Sequence, residues 1–598
     1  MRYAQQLRRS WRVSATLDER VAFALLVAVI GGGMGLVAVG FRVMLRAANE
    51  LFFGRFHGLN LTATLFDHPE VALVPAAGGL LVGLYFQYVV RRPPGHGVSE
   101  VMVALETRGS RLPWITSVHT AIASSVTIGS GGSAGPEGPI IQIGAALASG
   151  AGQMFRISAV RLRLLVACGA GAGLAGMYHA PLTGAAFAAE VLLEELEPRS
   201  FSLLALATVS ASAVAGQFAV ERPVPVPPLP QSPWQAVPLN LVLGLLAAPL
   251  GVLLIVLVHG FGNRVEHTRG PRWLKPAIGG LVVGLIGLGL PRVLGSSENS
   301  IGDVLGGRLD VWLLLALPFA KVVATSITLG SGATGGVFTP SLFTGAAFGG
   351  AFGLIAHNVW GDAGPSSAYA LVGMGTVVAA TVNAPLTAVL LVCEFTSNFT
   401  LLPEVVAAVA ASVIVARQLQ ADSIYTLPLH HLGIDRALMR RNPLAGILVR
   451  DRLTTDWPTL RPDATLAAAV ALAHKTGKTC LPVVREDGLF EGVLNIGALA
   501  LEAQGAGVDE DDTRRPVREL ITKDVPVVSP DATLHDVALL VGSADFFHTI
   551  IPVVSREDGR YQGVLERVVI LRSYSAVSRL QRLRGRRPEP GRRSVATS

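Results

Sequence analysis

One acid set among small residues is the first place where this sequence could do chemistry. The run Gly129-Ser130-Gly131-Gly132-Ser133-Ala134-Gly135-Pro136-Glu137-Gly138-Pro139 is rich in glycine. It opens an apolar helix through Ile140-Ile141-Gln142-Ile143 and holds a single carboxylate. Glycines ahead of a helix leave backbone N–H groups converging on one point, and the helix dipole favours negative charge there. Glu137 therefore stands where an anion would bind, as a competitor for the site. In an apolar setting a lone acid is expensive and marks function. A phosphate-loop reading fails because no Lys-Ser or Lys-Thr follows the glycines.

The same run occurs twice. Ser125-Val126-Thr127-Ile128-Gly129-Ser130-Gly131 matches Ser326-Ile327-Thr328-Leu329-Gly330-Ser331-Gly332 at an offset of 201 residues. Continued, the match sets Glu137 opposite Phe338 and Pro139 opposite Pro340. A second pair, Ala180-Pro181-Leu182-Thr183 and Ala384-Pro385-Leu386-Thr387, lies at an offset of 204. Ten residues beyond the alanine each copy carries a glutamate, Glu190 and Glu394. Interrupted segments at corresponding places in two halves point to the binding site of a transporter. Lys321 and Glu190 are expected to be ion-paired or to reach water, and Glu394 to have a structural role.

The elements that must position these residues are membrane helices. Of 598 residues, 51% are hydrophobic and 15% charged, against about 25% charged in soluble domains. Apolar spans of bilayer length, ~20 residues, recur at Val21–Val43, Val71–Val90, Leu162–Met177, Phe201–Phe218, Leu239–Phe261, Leu274–Leu290 and Val311–Ile327. Further apolar helices are expected at Ala370–Thr381, Leu386–Phe395 and Val405–Val415. Several are short or broken by Gly and Pro, which is tolerated where backbone is buried or lines a cavity. The net charge of +7 gathers at the ends, at Arg2, Arg8, Arg9 and Arg12 and again from Arg579 to Arg593. By the positive-inside rule both termini are expected in the cytoplasm, a reading preferred to nucleic-acid binding. The first apolar run is too long for a signal peptide and lacks a cleavage site. Cys168, Cys393 and Cys480 show neither metal nor disulfide spacing. With no nucleophile–base or metal constellation, no enzyme and no cofactor are expected.

After Leu427-Pro428-Leu429 the composition turns polar and a shorter repeat begins. Pro462-Asp463-Ala464-Thr465-Leu466 and Pro530-Asp531-Ala532-Thr533-Leu534 lie 68 residues apart. Each leads through a helical stretch to Leu481-Pro482-Val483-Val484 or Ile551-Pro552-Val553-Val554. An Arg-Glu-Asp-Gly turn and a second strand follow. The pattern predicts a small α/β unit used twice. The expected organisation is a cytoplasmic segment 1–19 and a membrane domain 20–433, with halves at about 20–220 and 235–433. A linker 434–449, α/β units 450–508 and 516–575, and a basic disordered tail 576–598 complete it.

With these motifs in this order, nearly all of residues 20–575 resembles the CLC family of chloride channels and proton-coupled chloride antiporters, carrying a C-terminal CBS domain pair. The resemblance implies an all-α polytopic membrane fold with two inverted-repeat halves, followed by a cytoplasmic α/β CBS module. It further implies a homodimer with one chloride path per subunit, in the plasma membrane, which is the inner membrane if the source is bacterial. Gly135-Pro136-Glu137-Gly138-Pro139 is similar to the gating motif, which makes Glu137 the gate and Gly135 and Gly138 anion-binding residues beside it. Gly336-Val337-Phe338-Thr339-Pro340 resembles the matching motif, whose Val337 and Phe338 amides face the anion. Tyr425 is similar to the tyrosine that closes the site with its hydroxyl. Gly95-His96-Gly97-Val98-Ser99-Glu100 occupies the first filter motif but departs from the familiar Gly-Ser-Gly-Ile-Pro. There His96 either donates from a neutral imidazole or turns away. Pro136 also departs from the pattern and removes a donor, since proline has no N–H.

Exchangers of the family tend to carry Glu-Glu after the Ala-Pro-Leu segment. Here Glu190-Val191 places valine where the proton-carrying glutamate would be, and the channel pattern is favoured. Passive, voltage-, pH- and chloride-sensitive chloride transport is therefore expected. A proton-coupled antiporter on the same fold is the alternative, and a membrane-tethered CBS ligand sensor a more distant one. CBS pairs often bind adenine nucleotides through a Ser/Thr and an Asp. Asn495-Ile496-Gly497 and Glu566-Arg567-Val568 lack that pattern, so a dimer-stabilising or coupling role is expected instead.

Overall fold

A computed structural model describes residues 18–54, 66, 68–91, 97–218, 236–360, 364–397, 399–432, 434, 444, 447–497, 499, 515–522, 525–534, 536–537, 550–555, 558–566 and 569. The chain divides into two compact units. One comprises residues up to Gly433 except Glu106–Gly109, and the other comprises that short stretch with Ile434 onward.

The first unit is helical and runs through one series of elements twice. The first pass is α1 (Asp18–Phe53), α2 (Leu73–Leu84), α3 (Val98–Thr107), α4 (Ile115–Gly129), α5 (Glu137–Met154), α6 (Ala159–Tyr178), α7 (Pro181–Phe187) and α8 (Pro198–Gly216). The second is α9 (Val237–Glu266), α10 (Lys275–Gly289), α11 (Glu298–Leu305), α12 (Val311–Gly330), α13 (Phe338–Val359), α14 (Ser366–Val382), α15 (Pro385–Thr396) and α16 (Leu402–Leu419). A short α17 (Leu427–His431) follows Tyr425. Among the described residues, seven helical stretches are long and apolar enough to cross a membrane. Helices α5 and α13 start in the interior, their first residues fully buried. A hydropathy scan marks spans, and so it passes over α3 and α11, which are too short.

Small residues let these helices pack backbone to backbone. In the first half Gly144 of α5 faces Gly169 of α6; in the second, Gly345 of α13 faces Gly373 of α14. A β-carbon on any of the four would run into the facing glycine's carbonyl oxygen. Proline marks the starts of α7 and α15, where its missing N–H costs nothing. Helix α7 continues as a π-helical turn, Ala188–Leu193, which carries Glu190 and Val191.

The second unit holds the two predicted α/β repeats. Strands β1 (Cys480–Val484) and β2 (Phe490–Asn495) pair antiparallel, as do β3 (Ile550–Val554) and β4 (Tyr561–Glu566). Helix α18 (Leu466–Thr476) precedes β1, its start capped by the Thr465 hydroxyl accepting from Ala468 N–H. Each repeat lends a residue to the other's strand: Thr454 bridges to Val564, and Thr522 to Val493. Phe490 stacks on Tyr561 with ring centroids 6.3 Å apart. Burial pushes the Tyr561 phenol up from its ordinary pKa, because the charged form loses its hydration. The expected tail 576–598 lies outside the described residues.

Candidate anion site

The two glycine runs meet. Gly135 N–H donates to the Gly336 carbonyl at 2.8 Å and Gly336 N–H to the Gly135 carbonyl at 2.7 Å, an antiparallel bridge. The threonines of the preceding helices complete it in both directions. Thr328 Oγ1 accepts from Ser133 N–H at 3.1 Å, and Thr127 Oγ1 from Thr334 N–H at 3.3 Å. The bridge corrects one expectation from the sequence. The Gly135 amide is engaged by Gly336 and is not available to an anion.

From this bridge α5 and α13 start side by side. A helix leaves its first N–H groups without partners inside it, and here Pro136, Pro139 and Pro340 remove several of them. Glu137, fully buried, folds toward the second helix start. Its carboxylate accepts from Thr339 N–H, from Thr339 Oγ1 at 3.1 Å and from Tyr178 Oη at 3.4 Å. The Glu137 side chain thus lies on the start of the opposite half's helix.

Phe338 is fully buried, and Tyr425 is 5% exposed. Phe187 lies edge-on between them, its ring centroid 6.5 Å from Phe338 and 6.3 Å from Tyr425, with interplanar angles of 86°. The Tyr425 hydroxyl is buried and has no hydrogen-bond partner among the described residues. A buried donor left unmatched is costly, and an anion would match it. Ser99 Oγ donates to the Tyr425 carbonyl at 3.0 Å, which ties the filter segment to the residue opposite. Gly97 is left-handed (φ +57°), and a β-carbon there would lie 3.5 Å from the Gly138 backbone. The structure therefore brings together Gly97, Gly138, Glu137, Val337, Phe338 and Tyr425. Gly95 and His96 lie outside the described residues.

Two charged residues behave otherwise than their sequence suggested. No ion pair holds Glu190 among the described residues, and its half-buried carboxylate is turned to a helix start. It accepts from Leu386 N–H (3.1 Å), Thr387 N–H (2.8 Å) and Thr387 Oγ1 (2.8 Å), capping α15. Glu394 reciprocates on α7 through Leu182 N–H (2.8 Å), Thr183 N–H (2.7 Å) and Thr183 Oγ1 (2.5 Å). Lys321, fully buried, donates to the Val293 and Gly295 carbonyls at 2.9 Å each and to Ser297 Oγ at 2.7 Å. All three of its donors are matched by neutral acceptors. Sequence reasoning passed over Tyr178 and Thr339. Thr339 was within reach, since it stands opposite Gly138 in the repeat; Tyr178 carries no local signal.

The family model described as "Voltage gated chloride channel" matches residues 78–417. The chain belongs to the CLC family. CBS domain models match residues 437–503 and 517–575 of this CLC protein. It is 34% identical over 408 residues to a putative chloride channel protein ClcB-like of Ralstonia nicotianae, covering 67% of this chain and 95% of that one. It is 33% identical over 420 residues to the voltage-gated ClC-type chloride channel ClcB of an Escherichia coli strain, covering 67% and 97%. A solved slow cyanobacterial Cl⁻/H⁺ antiporter superposes with a TM-score of 0.62 at 23% identity, covering 69% of this chain and 99% of that one. Chloride transport is the activity of the family, and the chain is a membrane transport protein.

Proposed function

We propose that this CLC protein conducts chloride passively, through a path that Glu137 opens and closes. The observation that carries the reading is the state of the acids on the π-helical turn. Val191, buried and apolar, stands where a proton-carrying glutamate would be. Its neighbour Glu190 has both carboxylate oxygens committed to the start of α15. Protonating a carboxylate whose two oxygens both accept from a helix start costs at least one of those bonds, which makes it a poor carrier. The anion itself is held by partial charges: helix-start amides and the Tyr425 hydroxyl bind chloride without the trap that a fixed cation would set. Protonation of Glu137, or chloride taking its place, frees the path.

The protein acts as a homodimer in this reading, with both termini in the cytoplasm. Exposed apolar residues of α8 and α16, including Val209, Val406 and Ile414, offer a face to lipid or to a second subunit. The CBS pair regulates without an adenine nucleotide, in keeping with Asn495 and Glu566 at the ends of β2 and β4. The test is flux from liposomes under an imposed chloride gradient with a proton-sensitive dye. Chloride efflux without proton movement is expected. Uphill proton transport would replace the channel with an antiporter.

A further inference from the structure

Two hydroxyls, one from each half of the membrane unit, surround the Glu137 carboxylate, and the repeat-equivalent positions carry neither. We propose that Tyr178 and Thr339 form a hydroxyl latch that sets how firmly Glu137 holds the anion position. They are positioning residues, and the proposal rests on Glu137 being the gate.

Tyr178 is the last residue of α6 and is 3% exposed; Thr339 is in the first turn of α13 and is 1% exposed. The Tyr178 ring packs on Phe395 with centroids 5.7 Å apart. Its hydroxyl lies 2.8 Å from Thr339 Oγ1 and 3.4 Å from Glu137 Oε2. Thr339 Oγ1 lies 3.1 Å from the same carboxylate oxygen. The three side chains close a triangle sealed from water, where every polar group must find a partner inside.

Proline explains why side chains are needed. With Pro136, Pro139 and Pro340 in the two helix starts, fewer backbone donors face the carboxylate than a helix N-terminus would otherwise give. The hydroxyls make up the deficit. Unlike amides they rotate. With Glu137 ionised, Thr339 donates to the carboxylate and Tyr178 turns its one proton to Thr339 Oγ1 or to the same carboxylate oxygen. With Glu137 protonated, the carboxylic acid donates to Thr339 and Thr339 to Tyr178. The first arrangement is the tighter, since a hydrogen bond to a charged acceptor is about twice as strong. Charged and ionisable groups in electrostatic reach of the carboxylate are Glu298 of α11, Lys321 of α12 and Tyr425, and none of them changes in the test.

The repeat supplies an independent observation. The positions equivalent to Tyr178 and Thr339 in the opposite halves are Val382 and Gly138. Both hydroxyls are thus found at the one gate that has a carboxylate to hold, and their equivalents have none.

The experiment is calorimetric chloride binding to the purified full-length protein. Tyr178→Phe and Thr339→Val keep the shape and remove the hydroxyl. Each is made alone and with Glu137→Ala, and Thr339→Ser restores the hydroxyl. Chloride must displace the gate to fill its position, so a weaker latch raises apparent affinity. An increase of about tenfold is expected for Thr339→Val, one charge-assisted bond being ~1.4 kcal/mol or more, and a smaller one for Tyr178→Phe. Thr339→Ser should return the wild-type value, and neither substitution should change affinity once Glu137 is alanine. Unchanged or lowered affinity, or the same rise without the Glu137 side chain, overturns the latch. Proton pumping in the flux assay would overturn passive conduction and leave this result standing.

Discussion

The two halves of the membrane unit share an order of elements and differ where chemistry is done. At equivalent positions 201 residues apart, the first has Glu137 and Gly138 where the second has Phe338 and Thr339. The first half supplies the acid and Tyr178; the second supplies the Thr339 N–H and hydroxyl that the carboxylate accepts from. Away from the gate the same division appears. Thr120 of α4 bonds Gln142 at 3.3 Å, and Gln142 bonds Glu100 at 2.6 Å. The equivalent pair in the second half is Lys321 and Phe343, with the lysine 5.9 Å from the ring centroid. One half uses a chain of polar side chains, the other a buried cation bonded to carbonyls. Duplication gave a symmetric frame, and the site works through its departures from symmetry.

The frame and the departures can be separated by substitution. The largest effect is expected at the departure itself. Glu137→Ala should raise chloride flux at neutral pH about a hundredfold, since the two charge-assisted bonds from Thr339, ~1.5 kcal/mol each, no longer hold the path shut. Glu137→Gln should in addition flatten the pH profile. In the wild type, acid protonates the carboxylate, removes its charge and releases it, so flux rises as pH falls; glutamine has no such step. An unchanged profile in liposome efflux would remove Glu137 from the gate.

Next comes Lys321→Met. It strands two buried carbonyls and the Ser297 hydroxyl, at a cost of ~3 kcal/mol. Thermal unfolding in detergent should fall sharply, and the first-half substitution Thr120→Val should cost markedly less. Equal losses would mean that the halves rely on these positions alike.

The symmetric frame is tested by Glu190→Gln and Glu394→Gln. Each removes a charged cap, so ~1–3 kcal/mol is expected from both, read as matched falls in melting temperature. A much smaller fall for Glu190 would show that it is not held as Glu394 is. The smallest effect belongs to Tyr425→Phe: its hydroxyl awaits an anion, so chloride should bind about fivefold more weakly, ~1 kcal/mol. Unfolding of the chloride-free protein should be unchanged.

Much of this was legible in the sequence because duplication leaves a local trace. The matching glycine runs and Ala-Pro-Leu-Thr segments located both helix starts and marked Glu137 as the odd residue. Glu190 and Glu394 were visible as a pair, but their roles were not. Each caps a helix about two hundred residues away, and no local pattern encodes that distance. The Gly135 amide misled for the same reason, since its partner is in the other copy. Lys321 looked like half of an ion pair because a buried charge usually has one; three neutral acceptors served instead. Tyr178 was invisible as a lone tyrosine at the end of an apolar helix.

The reciprocal bridge between Gly135 and Gly336 locks the two helix starts to each other at the site. What is left to move there is a single side chain, and it carries at most one elementary charge. With Glu137 as the proposed gate, the gating charge per subunit therefore has a ceiling. A membrane potential does ~2.3 kcal/mol of work on one charge per 100 mV, so the open fraction can change no faster than about tenfold for every ~60 mV. A pore gated in this way responds to voltage as a gentle slope, and any steeper response would require charge moving somewhere other than Glu137.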